Sequence, residues 1–294
     1  MLNEACQRYP NGVVGLVFLS KCSERLREDG VRSRRGRRGK GKDGDRTMRV
    51  GRESAVRVLR EEVRKRGSEV LVRYGDSVEA IVEVVKRLGI GCVYCEMGVE
   101  VEERKEEKRV EKRLSELGVG FEKRWGGVMY GWSQVGGVER LGEDADEFGR
   151  KVCKEEVENP LKALEKIPKV SRVVSLDVGE INGEIVGDSG GKGKRGGMEW
   201  VKGGERKALE LVRQFVSGSL VATVSGGSSV GVIDTKFGSL APFLTLGCLS
   251  PRWLWNEVSR KVPVNNVKRF CVEFELVLRD FLRYSTFKYG THPA

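Results

Sequence analysis

The chain has 294 residues, of which 39 % are apolar, 33 % charged and 7 % aromatic, enough to bury a sizeable core. No run of eighteen apolar residues occurs, which argues against a helical membrane span, and one His with seven Cys lacking framework spacing argues against a His-rich zinc centre, a Ser-His-Asp triad and a disulfide scaffold. The net charge of +11, from 54 basic and 43 acidic residues, favours anionic partners such as nucleic acid or phosphate, although a solvated basic surface gives the same balance.

The first half alternates strands and helices. VVGLVFL (13–19) reads as a buried strand, too short for a signal peptide and without a cleavage site. The stretch from Gly30 to Arg46 is rich in Gly, Arg and Lys, has no apolar period and reads as a loop. Glu53 to Arg66 carries Val56, Leu59 and Val63 at helical spacing, and Gly67 ends the helix. EVLVRY (69–74) is a strand. Ser77 is placed to cap a helix bearing Ile81, Val84, Val85 and Leu88, with Gly89 as its stop. CVYC (92–95), a charged helix from Glu100 to Leu117 and VGFEK (119–123) complete the alternation. Such repetition predicts an α/β fold with a parallel sheet and helices on its faces. No GxGxxG or P-loop follows any strand, so an ordinary dinucleotide or nucleoside triphosphate site is not supported.

Beyond Gly126 the pattern weakens. Residues 136–170 read as a polar, partly helical connection, and 179–204 as a Gly-rich linker that makes the best domain boundary. The remainder reads as helical. Glu205 to Phe215 places Ala208, Val212 and Phe215 on one face. Ser250 followed by Pro251 is a strong helix start, ahead of Trp253, Leu254, Trp255 and Val258. The last helix, from about Asn266 to Phe287, is expected to bury Phe270, Phe274, Val277 and Phe281.

Three constellations carry chemical meaning. Cys92 and Cys95 form a single CxxC inside an apolar strand, where Cys is more often a small buried hydrophobe than a redox or zinc ligand. The Arg/Lys run from Arg32 to Arg49 suits phosphates but has no aromatic residue for stacking bases, and a solvated loop is the plainer reading. Glu275 and Arg279 share a face at i,i+4. They make either a surface ion pair worth about 0.3–0.5 kcal/mol or an inward-facing pair on a cofactor cavity.

The second half resembles the photolyase/cryptochrome family through GGERKALELVRQF (203–215), LAPFLTLGCLSPRWLWNEV (240–258) and FELVLRDFLRYSTFKYG (274–290). The LGCLSPR and RDF…KYG variants are most similar to the cryptochrome DASH branch. In the first half, residues 52–89, 94–114 and WGGVMYGWSQV (125–135) are similar to the family's antenna domain and the tract after it. The resemblance implies a Rossmann-like α/β domain (1–135), a Gly-rich connection (136–202) and the start of an all-α FAD-binding domain (203–294). It implies FAD, a possible folate antenna chromophore, and light-driven pyrimidine-dimer repair on DNA or blue-light reception. The carbon-carbon lyase activity of a deoxyribodipyrimidine photolyase is the enzymatic form. Flipping a lesion out of the duplex costs a few kcal/mol, least at damaged sites.

Residue by residue, the resemblance assigns Glu275 and Arg279 to the flavin-facing helix, and Thr235, Lys236 and Phe237, or Ser239 in a shifted register, to the flavin phosphates. Glu96 matches an acidic residue near the antenna chromophore. The family's lesion-contacting Trp before the Arg is here Leu278, which speaks against dimer recognition through that contact. Compared with the family, the chain is expected to begin inside the first helix, without the opening strand, and to stop after KYG, before most flavin contacts and the electron-relay tryptophans. Trp125, Trp132, Trp200, Trp253 and Trp255 are not expected to replace those tryptophans. Repair activity of this chain is therefore expected to be weak or absent. The expected macromolecular partner is DNA, single-stranded or lesion-containing. The alternative function is a non-catalytic basic α/β protein that binds nucleic acid or a protein partner, derived from a degenerate family member, and a thioredoxin-like role for Cys92 and Cys95 is remote. The expected setting is intracellular, with plastid, mitochondrion or nucleus open.

Overall fold

The computed structural model describes residues 2–9, 12–13, 15–19, 40–142, 144–168, 203–218, 223–224, 233–234 and 240–290. The expectations for Thr235, Lys236, Phe237, Ser239 and Trp200, and for most of the Gly-rich linker, lie outside these residues. The described residues fall into two compact units. One comprises 1–93, 113–120 and 163–207. The other comprises 94–112, 121–162 and 208–294.

The first unit holds α1 (Leu2–Arg8), β1 (Gly15–Leu19), α2 (Lys40–Lys65), β2 (Val70–Tyr74) and α3 (Ser77–Leu88). β1 and β2 pair in parallel from Gly15 opposite Val70 to Leu19 opposite Tyr74. Val70, Leu71 and Val72 are buried, as a strand covered on both faces requires. The edges of the pair are tied by Ser68 Oγ donating to the Val13 carbonyl (2.6 Å) and Ile167 N donating to the Arg66 carbonyl (2.8 Å).

α2 begins well before Glu53, so residues 40–46 of the expected loop are helical. Residues 40–46, KGKDGDR, have no apolar period and include two Gly and two Asp, both poor helix formers; the helix there continues from the packed second half. The helix buries Val56 and Val58 while Leu59 is 48 % exposed, a correction to the expected Val56–Leu59–Val63 face. Arg60 and Arg64 explain the rotation. Their Nε atoms donate to the two oxygens of Glu69 at 3.0 and 2.8 Å, so this side of the helix faces the start of β2.

The cap of α3 is Asp76 rather than Ser77. Its Oδ1 accepts from Val78 N (2.9 Å) and Glu79 N (3.2 Å), placing a negative charge at the positive end of the helix. Gly89 ends α3 at φ +66°, where a residue with Cβ is strained.

β3 (Cys92–Glu96) and β4 (Gly120–Arg124) form a second two-stranded sheet across α4 (Val101–Glu116). Gly120 N donates to Gly91 O at the start of both strands and Met97 N to Arg124 O at their ends, which is parallel pairing.

The second unit is built on helices: α5 (Trp132–Val135), α6 (Ala145–Val152), most of α7 (Gly204–Val216), α8 (Ala241–Thr245), α9 (Pro251–Lys261) and α10 (Val267–Tyr289). Its core joins Phe148 and Val152 of α6, Ala208, Val212 and Phe215 of α7, Leu254 and Val258 of α9, and Leu276, Phe281 and Tyr284 of α10. Ser250 caps α9 by accepting from Trp253 N, with Pro251 in the first turn, and Asn266 caps α10 by accepting from Lys268 N (2.9 Å). Met129, Tyr130 and Val135 pack in the same core, so the tract that sequence groups with the α/β half touches the helical one.

α10 corrects the expected buried stripe. Val277 and Phe281 are buried, but Phe270 is 63 % and Phe274 48 % exposed. This helix is apolar on more than one face. Contacts with α6 and α9 select the face of Cys271, Val272, Leu276 and Asp280, leaving Phe270 and Phe274 stacked on each other (6.4 Å) at the surface. Among the described residues no helix is long and apolar enough to cross a membrane.

Candidate functional site

The candidate site lies where α10 meets the turn after β4. Residues 126–131, GGVMYG, have no regular structure, so their amides and carbonyls need partners from elsewhere. α10 supplies most of them. Arg283 Nη2 donates to Gly126 O (3.4 Å) and Arg279 Nη1 to Gly127 O. Asp280 accepts from Met129 N (2.9 Å) and Tyr130 N (2.8 Å), and Tyr284 OH donates to Tyr130 O (3.0 Å). Arg252 of α9 reaches Met129 O (3.1 Å), and Gln134 accepts from Gly131 N (2.8 Å).

This arrangement unites two residues that the sequence places at different sites. Glu96, at the end of β3, pairs with Arg283 (2.9 Å). Gly127, at φ +64°, lies between Glu96 and Arg279: a Cβ there would stand 2.9 Å from Glu96 Oε1 and 3.8 Å from Arg279 Nη2. Glu96 and Arg279 therefore share one cluster of charge. Glu275 does not join it as a partner of Arg279. Its side chain is exposed, and Arg279 turns instead to the carbonyls of Gly127 and Leu244 (3.4 Å), so the surface ion-pair reading gives way. Leu278 is half-buried on the same helix.

The electrostatics follow from burial. Asp280 is fully buried, and loss of water pushes its carboxyl up to about 7, against the Tyr130 and Met129 amides and the guanidiniums of Arg279 and Arg283. Burial and then Arg283 lower the pKa of Arg279, with Asp280 and Glu96 opposing. The hydrogen bonds of Arg279 go to neutral carbonyls, and Asp280 lies 3.9 Å away, so its charge is incompletely matched.

An aromatic cluster backs the site. Trp125 lies 4.9 Å from Tyr284 and 5.1 Å from Trp132, and Arg283 stands over the Trp125 ring at 5.6 Å. Cys92 and Cys95 are free and half-buried, and burial followed by the Glu107 carboxylate pushes the Cys95 thiol up to about 11. A thiol so protonated is a poor nucleophile. A separate concavity of about 290 Å³ lies between α9 and residues 156–159. Its polar groups are engaged with one another, Arg252 with Glu158 and Asn256 with Asn159 (3.0 Å).

Asp280, Arg283, Tyr284 and Gly127 are the site residues that sequence reasoning missed. The available signals were an acidic residue on the core side of an amphipathic helix and a double glycine between a strand and a helix.

A family model described as DNA photolyase matches residues 35–164. The blue-light photoreceptor PHR2 of Arabidopsis thaliana is 27 % identical over 258 residues, 81 % of this chain and 57 % of that protein. Cryptochrome DASH of Natronomonas pharaonis is 29 % identical over 254 residues, covering 82 % of this chain and 52 % of its own. The solved cryptochrome of Synechocystis sp. PCC6803 matches in fold with a TM-score of 0.69 at 24 % identity, over 83 % of this chain and 51 % of the other. The chain thus spans about half the length of the curated relatives it matches.

Proposed function

We infer that this chain, which belongs to the photolyase/cryptochrome family close to its DASH branch, is a flavoprotein of that family and binds FAD. The observation that carries the reading is Arg279, a half-buried guanidinium on α10 with neutral hydrogen-bond partners and donor capacity left for an anionic ligand. Such a group fits a flavin, whose reduced ring and diphosphate are both anionic. Bound FAD would supply blue-light absorption and one-electron transfer.

The residues of this chain would orient and exclude water. Arg279 would face the flavin, with Glu275 one turn earlier, and the Trp125–Tyr284 cluster would back that side of α10 against solvent. Thr235, Lys236, Phe237 and Ser239 are proposed for the phosphates, and Glu96 for the neighbourhood of a folate antenna. DNA is the proposed macromolecular partner, with dimer repair or photoreception as the proposed activity. Leu278 has no ring to stack on a pyrimidine dimer, which favours photoreception over repair. Plastid, mitochondrion and nucleus are the proposed compartments.

The test is reconstitution of the 294-residue chain with FAD, followed by absorption and flavin fluorescence. The expected result is saturable binding with quenched emission, and at least about tenfold weaker binding for Arg279→Ala, the loss of one charge-assisted contact. Absence of FAD binding by a folded chain that still binds DNA would overturn the flavin reading in favour of the non-catalytic binding protein.

A further inference from the structure

Among the described residues Asp280 is the one buried acidic side chain, and it sits at the centre of the contacts that hold segment 126–131. We propose that Asp280 is a proton-operated latch: when neutral it holds residues 127–130 on α10, and when ionised it loosens them, together with the Gly127 carbonyl that aims Arg279. The proposal goes beyond flavin binding and does not depend on it.

The argument starts from what surrounds the carboxyl. On its own helix stand Arg279, at 3.9 Å, Arg283 and the phenol of Tyr284. From the clamped segment come the Met129 and Tyr130 amides and the Tyr130 phenol. From α9 comes Arg252, spent on the Met129 carbonyl and on Glu158, and from β3 comes Glu96, which holds Arg283. Glu273 of α10 acts on the Tyr130 phenol. Both nearby guanidiniums donate to carbonyls or to Glu96 rather than to Asp280. The fully buried carboxylate thus has two amides but, among the described residues, no hydrogen-bonded cation, and burial raises its pKa against the amides.

The sign follows from linkage. Opening the segment hydrates Asp280 and returns it to the ordinary carboxyl range, so the closed form holds the proton more tightly. Raising the pH from that range to about 7 favours opening, and above about 7 the effect levels off. One proton limits the slope to about tenfold per pH unit.

Amide hydrogen exchange of the full chain between about pH 5 and pH 8.5, corrected for intrinsic exchange, reads this directly. The opening of peptides covering 126–132 is expected to rise up to about tenfold per pH unit below about pH 7 and to flatten above it. Asp280→Asn, a neutral acceptor for the same amides, is expected to stay at the low-pH level throughout. Tyr284→Phe removes the tether to the Tyr130 carbonyl and is expected to raise opening at every pH with the slope retained. A flat profile in the natural chain, or the same slope in Asp280→Asn, overturns the latch. Should Asp280→Asn fail to fold, carboxyl carbon titration of the natural chain decides: a midpoint below about pH 5 overturns the proposal.

Discussion

At the scale of single residues, the site depends on a glycine as much as on its charges. Gly127 sits at φ +64° with its missing Cβ directed at Glu96. Gly127→Ala would combine left-handed backbone strain with a contact that displaces the carboxylate from Arg283. The expected cost is about 1–2 kcal/mol, with the Glu96–Arg283 pair weakened. Denaturant unfolding checks the first effect. A double-mutant cycle with Glu96→Gln checks the second, because the coupling between Glu96 and Arg283 should shrink in the Gly127→Ala background. Arg279 was a candidate from the sequence through the FELVLRDFLRYSTFKYG resemblance. Asp280, its neighbour in that same motif, was not, since its role is defined by two amides about 150 residues away. A sequence shows which side chains can accept a hydrogen bond; it does not show which irregular turn will present the donors.

At the scale of elements, signals confined to one turn of chain were largely readable, the cap of α3 missing by one residue, Asp76 for Ser77. Ser250, Pro251, Asn266 and Gly89 all stand where local capping chemistry puts them, because their partners lie within four residues. The faces of the helices were less readable. In α10 apolar residues occupy more than one stripe, and period alone cannot choose between them. Tertiary contacts make the choice, and the consequence is measurable. Phe281→Ala, on the buried face, is expected to cost about 3–5 kcal/mol. Phe270→Ala, at 63 % exposure, should cost less than about 1 kcal/mol. Urea unfolding of the two variants separates them, and equal costs would mean that the exposed face of α10 is covered in solution.

At the scale of the whole molecule, charge is distributed differently from structure. The net +11 is the balance of 54 basic against 43 acidic residues in the full sequence, and several of the basic ones are ion-paired within the described residues. Arg60 and Arg64 bind Glu69, Arg206 binds Glu61 and Glu62, and Arg283 binds Glu96. Paired cations contribute little to binding a polyanion, so the proposed DNA binding would draw on cations outside these pairs and on the long-range field of the net charge. With about four to six phosphates neutralised on a single strand, raising salt from about 50 to 200 mM should weaken binding roughly 50- to 300-fold. Fluorescence anisotropy with an undamaged oligonucleotide measures that slope, and a dimer-containing oligonucleotide of equal length should give nearly the same affinity, because Leu278 offers no stacking surface. A clear preference for the lesion would assign recognition to other residues and shift the proposed activity from photoreception towards repair.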